Sequence, residues 1–212
     1  KFFRKEYMTK ARKTLAAESM PKGKAWYRQQ IREYTTLDLS PEEIHAIGLS
    51  EVARIQAEML ETMAETGFEG SFEEFLVFLR TDPQFYPKTP EELLMRAAWI
   101  SKQVDAKLAQ FFGLLPRARF SIEPVPADIA PFWTAGRGGP TTYWLNTYDL
   151  PSRPLYNLPA LTLHESAPGH SFQLSLAEEQ TGQPAFRRNG YISAYGEGWG
   201  LYVEKLGIEM EI

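Results

Sequence analysis

Four residues past His164, where a helical metal site would set its second histidine, this chain has Pro168, and the next histidine comes two residues later, at His170. The stretch Thr162-Leu163-His164-Glu165-Ser166-Ala167-Pro168-Gly169-His170-Ser171-Phe172-Gln173 holds two of the three histidines in the sequence. Neutral imidazole is a common zinc ligand, and the spacing His-Glu-x-x-His serves helical zinc sites because four residues bring both rings to one face. Six residues do not: at about 100° each, they turn the second ring about 120° away from the first. Pro168 has no amide hydrogen, its ring collides with the carbonyl of His164, and Gly169 admits unusual backbone angles. The helix must therefore widen or break between the histidines, and a local bulge would return His170 to the side of His164. An ordinary proline kink between two structural histidines fits the same residues.

A second stretch, Asn189 to Tyr202, sets Gly196, Gly198 and Gly200 at alternate positions in a helical context. Each glycine costs roughly 1 kcal/mol against alanine in a helix, so their presence points to close approach by another element. Glu197 lies among them, 27 residues past His170, which leaves room for a helix and a loop. A carboxylate from a second helix is a standard third zinc ligand. A surface glutamate in a glycine-rich loop is the plainer alternative.

The rest of the chain reads as helices around a short β region. Residues 1 to 18 predict a mixed-charge helix, and 24 to 35 a second. Ser40-Pro41-Glu42-Glu43 is a capping box, and behind it Ile44, Gly48, Val52, Ile55, Met59 and Met63 predict a long helix burying one face as far as about Thr66. Further boxes at Ser71 and Thr89 start a short apolar helix and a long one running to about Phe112. From Gly113 to Pro159 proline, glycine and β-prone runs predict a small antiparallel sheet, with Ala135 to Pro140 as its turn. Helix returns from Leu161, one segment through the histidines to about Glu179 and a last one from about Gly190. The expected fold is mainly α (α+β), a single domain over 1–212 with helical (1–112), β/loop (113–160) and metal-site (161–212) parts.

Composition excludes several classes. With 23 basic and 27 acidic residues and a formal charge of −4, the chain lacks the basic surface that nucleic acid requires. It has no cysteine, so any metal must be held by His, Asp or Glu. No apolar run is long enough to cross a bilayer.

The histidine stretch, the run Ala194-Tyr195-Gly196-Glu197-Gly198-Trp199-Gly200-Leu201-Tyr202 and the upstream Leu39-Ser40-Pro41-Glu42-Glu43-Ile44-His45-Ala46-Ile47-Gly48-Leu49 resemble the bacterial family known as domain of unknown function 885. The resemblance implies a zinc-dependent peptidase of the glutamate-zincin type with a helical zincin-like fold. It implies that His164, His170 and Glu197 bind one zinc ion and that Glu165 is the general base. Family members usually carry a histidine where this chain has Ser171. They are also longer at both ends, so the chain is expected to be a piece of a longer protein, lipid-anchored or extracytoplasmic rather than cytoplasmic.

Tyr143, Tyr191 or Tyr195 could supply a donor to the oxyanion, and the strand at about 141 to 147 could pair with an extended peptide at its edge. Arg137, or Arg153, could hold a substrate carboxylate, which would favour carboxypeptidase-like action. Gln173 and Glu204 are candidates for orienting the ligands, Glu204 because it falls seven residues past Glu197 on one helix face. His45 reads better as a satisfied structural histidine than as a catalytic one. The alternatives to a peptide substrate are a non-peptide amide, an inactive fragment, or a binding module of the same fold.

Overall fold

A computed structural model describes residues 1–212, mainly helical with one small sheet. The chain divides into two compact units, Lys1–Glu61 and Thr62–Ile212. The change of composition at Gly113 marks no such division; the boundary falls inside a helix.

In the first unit a wide helical turn over Phe3–Tyr7 runs into α1 (Met8–Lys10) and stops. The expected helix to residue 18 does not form: no residue of this stretch is buried, and a short helix without packing is marginal in water. After α2 (Gly23–Thr35) comes α3 (Pro41–Glu65), which opens on the expected capping box. Glu43 N–H donates to Ser40 Oγ at 3.1 Å and Ser40 N–H to Glu43 Oε2 at 2.8 Å. Arg54 bridges Glu51 and Glu58 along the same helix. The apolar stripe of α3 is not buried as its periodicity predicts. Val52 is 64% exposed, Ile55 44% and Met59 41%, and Met63 alone is buried. Periodicity states which face a helix offers; burial needs a second surface.

The second unit begins with α4 (Phe72–Thr81) on a capping box of Ser71 and Glu74, and α5 (Pro90–Asp105) on the Thr89 cap. The helix predicted to reach Phe112 is interrupted at Ala106–Lys107, where Lys107 Nζ turns to the carbonyl of Met210, and resumes as α6 (Leu108–Phe111). The sheet has three strands, β1 (Ser121–Pro124), β2 (Gly136–Gly138) and β3 (Thr142–Leu145), in the order β1-β3-β2. It is mixed, not antiparallel. β2 and β3 are joined by a tight turn and run antiparallel, whereas the long connection after Pro124 brings the chain round so that β1 lies parallel to β3. Residues 136–138, read as turn from the sequence, are thus strand, and the turn shrinks to Gly139–Thr141. β3 is the central strand, paired on both edges, so no peptide can add to it.

The chain then forms α7 (Leu158–Glu165), α8 (His170–Glu179), α9 (Ala185–Asn189) and α10 (Ser193–Glu209). α7 is the axis of this unit. One core joins its Leu163 to Val104, Phe172, Leu206 and Met210; another joins its Leu158 to Leu93, Ala97, Tyr143 and Leu145. Gly207 lets α10 close on α7, since a Cβ there would strike Leu163.

Candidate metal centre

The histidine stretch breaks rather than bulges. α7 ends at Glu165, Ser166 to Gly169 turn the chain, and His170 is the first residue of α8. His164 thus sits in the last turn of one helix and His170 at the start of the next, and the six-residue spacing no longer dictates their relative direction. Gly169 is required at the turn, because a Cβ would overlap the carbonyls of Leu163 and His164. Trp199 Nε1 donates to the carbonyl of Pro168 at 2.8 Å and braces the break from α10.

The two imidazoles meet edge to face with centroids 4.7 Å apart, His170 buried and His164 nearly so. Glu197 Oε2 lies 3.4 Å from His164 Nε2 and 3.6 Å from His170 Nε2, and the three donor atoms all fall within 4.8 Å of one another. Ligands at the usual zinc bond lengths and a tetrahedral angle stand about 3.3–3.5 Å apart, so the two Glu197 separations already suit one ion, and the imidazole nitrogens, within 4.8 Å of each other, would draw together around it. Each presents a free atom. His164 Nδ1 is bonded to Glu204 Oε1 at 2.7 Å, which leaves Nε2 for a metal, and Glu197 Oε1 accepts from the Tyr191 hydroxyl at 2.6 Å, which leaves Oε2. The Tyr191 bond, with a smaller contribution from the neighbouring His170 and His164, holds the Glu197 carboxyl below its ordinary pKa against the opposing effect of burial. Burial and that same carboxylate push the Tyr191 hydroxyl up, so it stays protonated as a donor.

α10 supplies this arrangement from one face. Glu197, Gly200 and Glu204 follow at helical spacing, and Gly200 makes room between the carboxylates for the His164 ring, which a Cβ would approach to 2.5 Å. Gly196 likewise makes room for Tyr191, whereas Gly198 faces open space. Of the three alternate glycines, two serve the close approach that the sequence predicts.

Glu165, beside His164 in sequence, accepts from Gly138 N–H of β2 at 2.5 Å through Oε2. Gly138 is also fixed by sterics, since a Cβ would strike the carbonyl of Glu165 and come to 2.7 Å from His170 Cβ. Sequence reasoning missed this strand's part. Its only signal was the run of glycines at 136, 138 and 139, which read equally well as a turn.

The remaining candidates divide. Tyr143 is wholly buried in the core of α5, β3 and α7, and burial pushes its hydroxyl well above the ordinary range; it cannot meet a substrate. Thr162 lies beside it, yet neither hydroxyl reaches a partner in hydrogen-bonding geometry. Gln173 Oε1 and His170 Nδ1 are both buried and both unbonded, so Gln173 does not orient His170 here. Tyr195 is 60% exposed at the start of α10, and Arg137 is exposed on β2 with no ion pair or hydrogen bond. Arg153 is occupied by the carbonyl of Asn146. His45 is exposed on α3 rather than satisfied in a core.

Comparison with known proteins adds two findings. A family model described as "Bacterial protein of unknown function (DUF885)" matches residues 1–212. The crystal structure of "the putative lipoprotein from Colwellia psychrerythraea" is similar to the chain over 98% of its length, at 32% identity and a TM-score of 0.91. The chain spans 38% of that protein. Among curated proteins, none matches.

Proposed function

The chain belongs to the bacterial DUF885 family of unknown function, and from its His164, His170 and Glu197 cluster we propose that it carries the metal centre of a zinc-dependent peptidase. The observation that supports this reading best is the assignment of donor atoms. Each ligand has one atom turned to a common point, while Glu204 and Tyr191 occupy the second atom of His164 and Glu197. A structural kink would have no use for that arrangement.

Three protein ligands leave one position of a tetrahedral zinc open, and such an ion supplies Lewis acidity and a water that ionises near neutral pH. Glu165 follows a ligand directly. With Oε2 held by Gly138 N–H, its Oε1 takes the proton of the attacking water and hands it to the departing amine. Tyr191 donates its one hydroxyl proton to Glu197 and so keeps that carboxylate ionised and pointed. Hydrolysis splits the amide C–N bond, the water oxygen joining the carbonyl carbon and its protons going to the amine and the medium.

No helix is long and apolar enough to cross a membrane. The description of the Colwellia protein as a putative lipoprotein is compatible with an extracytoplasmic or lipid-anchored whole protein.

Elemental mass spectrometry on untagged protein, with a peptide pool read by mass spectrometry, tests the proposal. The wild type should hold one zinc per chain, His170→Ala and Glu197→Ala should lose it, and Glu165→Gln should keep it while peptide cleavage falls by about 10²–10⁴-fold. Zinc bound equally by all three variants would falsify the ligand assignment, and undiminished cleavage by Glu165→Gln would remove its role as base.

A further inference from the structure

Beside β2 lies a cavity of about 400 Å³, within the range of small-ligand sites. Its walls are apolar and aromatic, chiefly Val125, Ile129, Trp133, Trp144 and Leu174, and Arg137 is the one charged residue in its lining. It adjoins the metal centre in two independent ways. Gly138 lines the cavity and with its N–H holds Glu165. Leu174 lies one helical turn past His170 on α8, so the helix face that carries the ligand continues into the cavity wall.

The walls are preformed. The side-chain amide of Asn146, fully buried, donates to the carbonyls of Ala130 and Thr134 at 2.9 and 3.0 Å and fixes the segment that bears Trp133. Ser175 Oγ donates to the carbonyl of Pro140 at 2.9 Å and ties α8 to the β2–β3 turn. Arg137 pairs across the sheet with Trp144, on the face of β3 opposite the buried Tyr143 and Leu145, and it has no carboxylate of its own. A larger cavity, about 470 Å³, lies near Ala167 and Ser171, but its charged residues are paired among themselves: Asp105 takes both Lys102, at 3.4 Å, and Arg119, at 4.0 Å.

We propose that the cavity beside β2 receives the C-terminal residue of a peptide substrate, a large aliphatic or aromatic one, with Arg137 holding its carboxylate. The inference rests on the peptidase reading and sharpens it to a carboxypeptidase preferring apolar ends. The apolar walls exclude charged side chains, which would be buried without a partner, and the guanidinium selects a free carboxylate over an amide.

Calorimetric titration of the 212-residue chain with N-acetylphenylalanine, its amide and N-acetylglycine reads the cavity without reference to catalysis. N-acetylphenylalanine should bind at least about tenfold tighter than the other two, one bidentate contact or one filled pocket being worth at least that factor. Arg137→Ala should abolish the difference between acid and amide. Ile129→Trp, at a half-exposed position where the fold is at little risk, should block the aromatic ligand while zinc content stays unchanged. Equal binding of the three ligands, or indifference to both substitutions, overturns the cavity. Cleavage of peptides ending in Phe, Gly and Phe-amide by the zinc-loaded protein separates the two proposals. Cleavage without end preference defeats the cavity and leaves the peptidase standing; the expected binding with no cleavage of any peptide defeats the peptidase reading.

Discussion

α3 and α7 are both helices, and they are held by different things. α3 is 25 residues long, opens on a capping box, is laced by the Arg54 pairs with Glu51 and Glu58, and leaves its apolar stripe exposed. α7 has eight residues, no side-chain cap and Pro159 in its first turn, yet Thr162 and Leu163 are buried and α10 closes on it through Gly200 and Gly207. Local interactions suffice for the first, because a long capped helix can repay its nucleation cost over many residues. The second is too short for that and exists because its neighbours pack on it. The weaker of the two by itself is the one that carries His164, which ties the proposed metal centre to the core of its unit.

This contrast can be broken at three points. The largest effect is expected from Leu163→Ala, which opens a cavity where α7 meets α5 and α10; it should destabilise the second unit by about 2–5 kcal/mol in denaturant unfolding and lower zinc retention with it. A change near zero would mean that α7 does not depend on this packing. Gly200→Ala comes next. Its methyl group must push the His164 ring, so a loss of about 1–3 kcal/mol is expected with a drop in zinc affinity, whereas Gly198→Ala, facing open space, should leave affinity unchanged. Equal behaviour of the two variants would dissolve the claim that α10 is shaped around His164.

The smallest effect is expected on α3. A peptide of residues 41–65 should be partly helical by far-UV circular dichroism, and one of residues 157–165 should not. Glu43 is held below its ordinary pKa, first by the Ser40 backbone N–H and then by the Ser40 hydroxyl. Its lowered pKa in the helix means that the contribution is complete above the unfolded carboxyl's value of about 4.3 and is lost as pH falls through the lower value. Helicity of a peptide of residues 39–65, which includes Ser40, should therefore decline in acid, and Ser40→Ala should flatten that decline. A helix content independent of both would show that the capping box contributes nothing.

Local signals were legible in proportion to how local they are. The boxes at Ser40, Ser71 and Thr89 mark three helix starts to within a residue, because a cap is made by side chains three residues apart. The parallel pairing of β1 with β3 was not legible, since it depends on the path of the long connection between them. Nor was the emptiness of the α3 stripe, since periodicity does not say whether a partner surface exists. At the site, Pro168 and Gly169 foretold an interrupted helix, and the glycines at 196 and 200 a close approach. The Gly138 contact to Glu165 had only a glycine run that read equally well as a turn, and the Tyr191 contact to Glu197 had no signal, because a tyrosine among ten does not mark its own partner.

By itself the sequence determined that no cysteine or basic surface is available, that α3, α4 and α5 start at their caps, and that His164 and His170 cannot share one regular helix. Those are matters of composition, spacing and steric exclusion, which act over a few bonds. Only the tertiary structure decided that the break turns both imidazoles to one point, that Glu197 and Glu204 take opposite sides of His164, and that β2 holds Glu165. These contacts join residues far apart in the chain, and their geometry is fixed by how α7, α8, α10 and the sheet pack together.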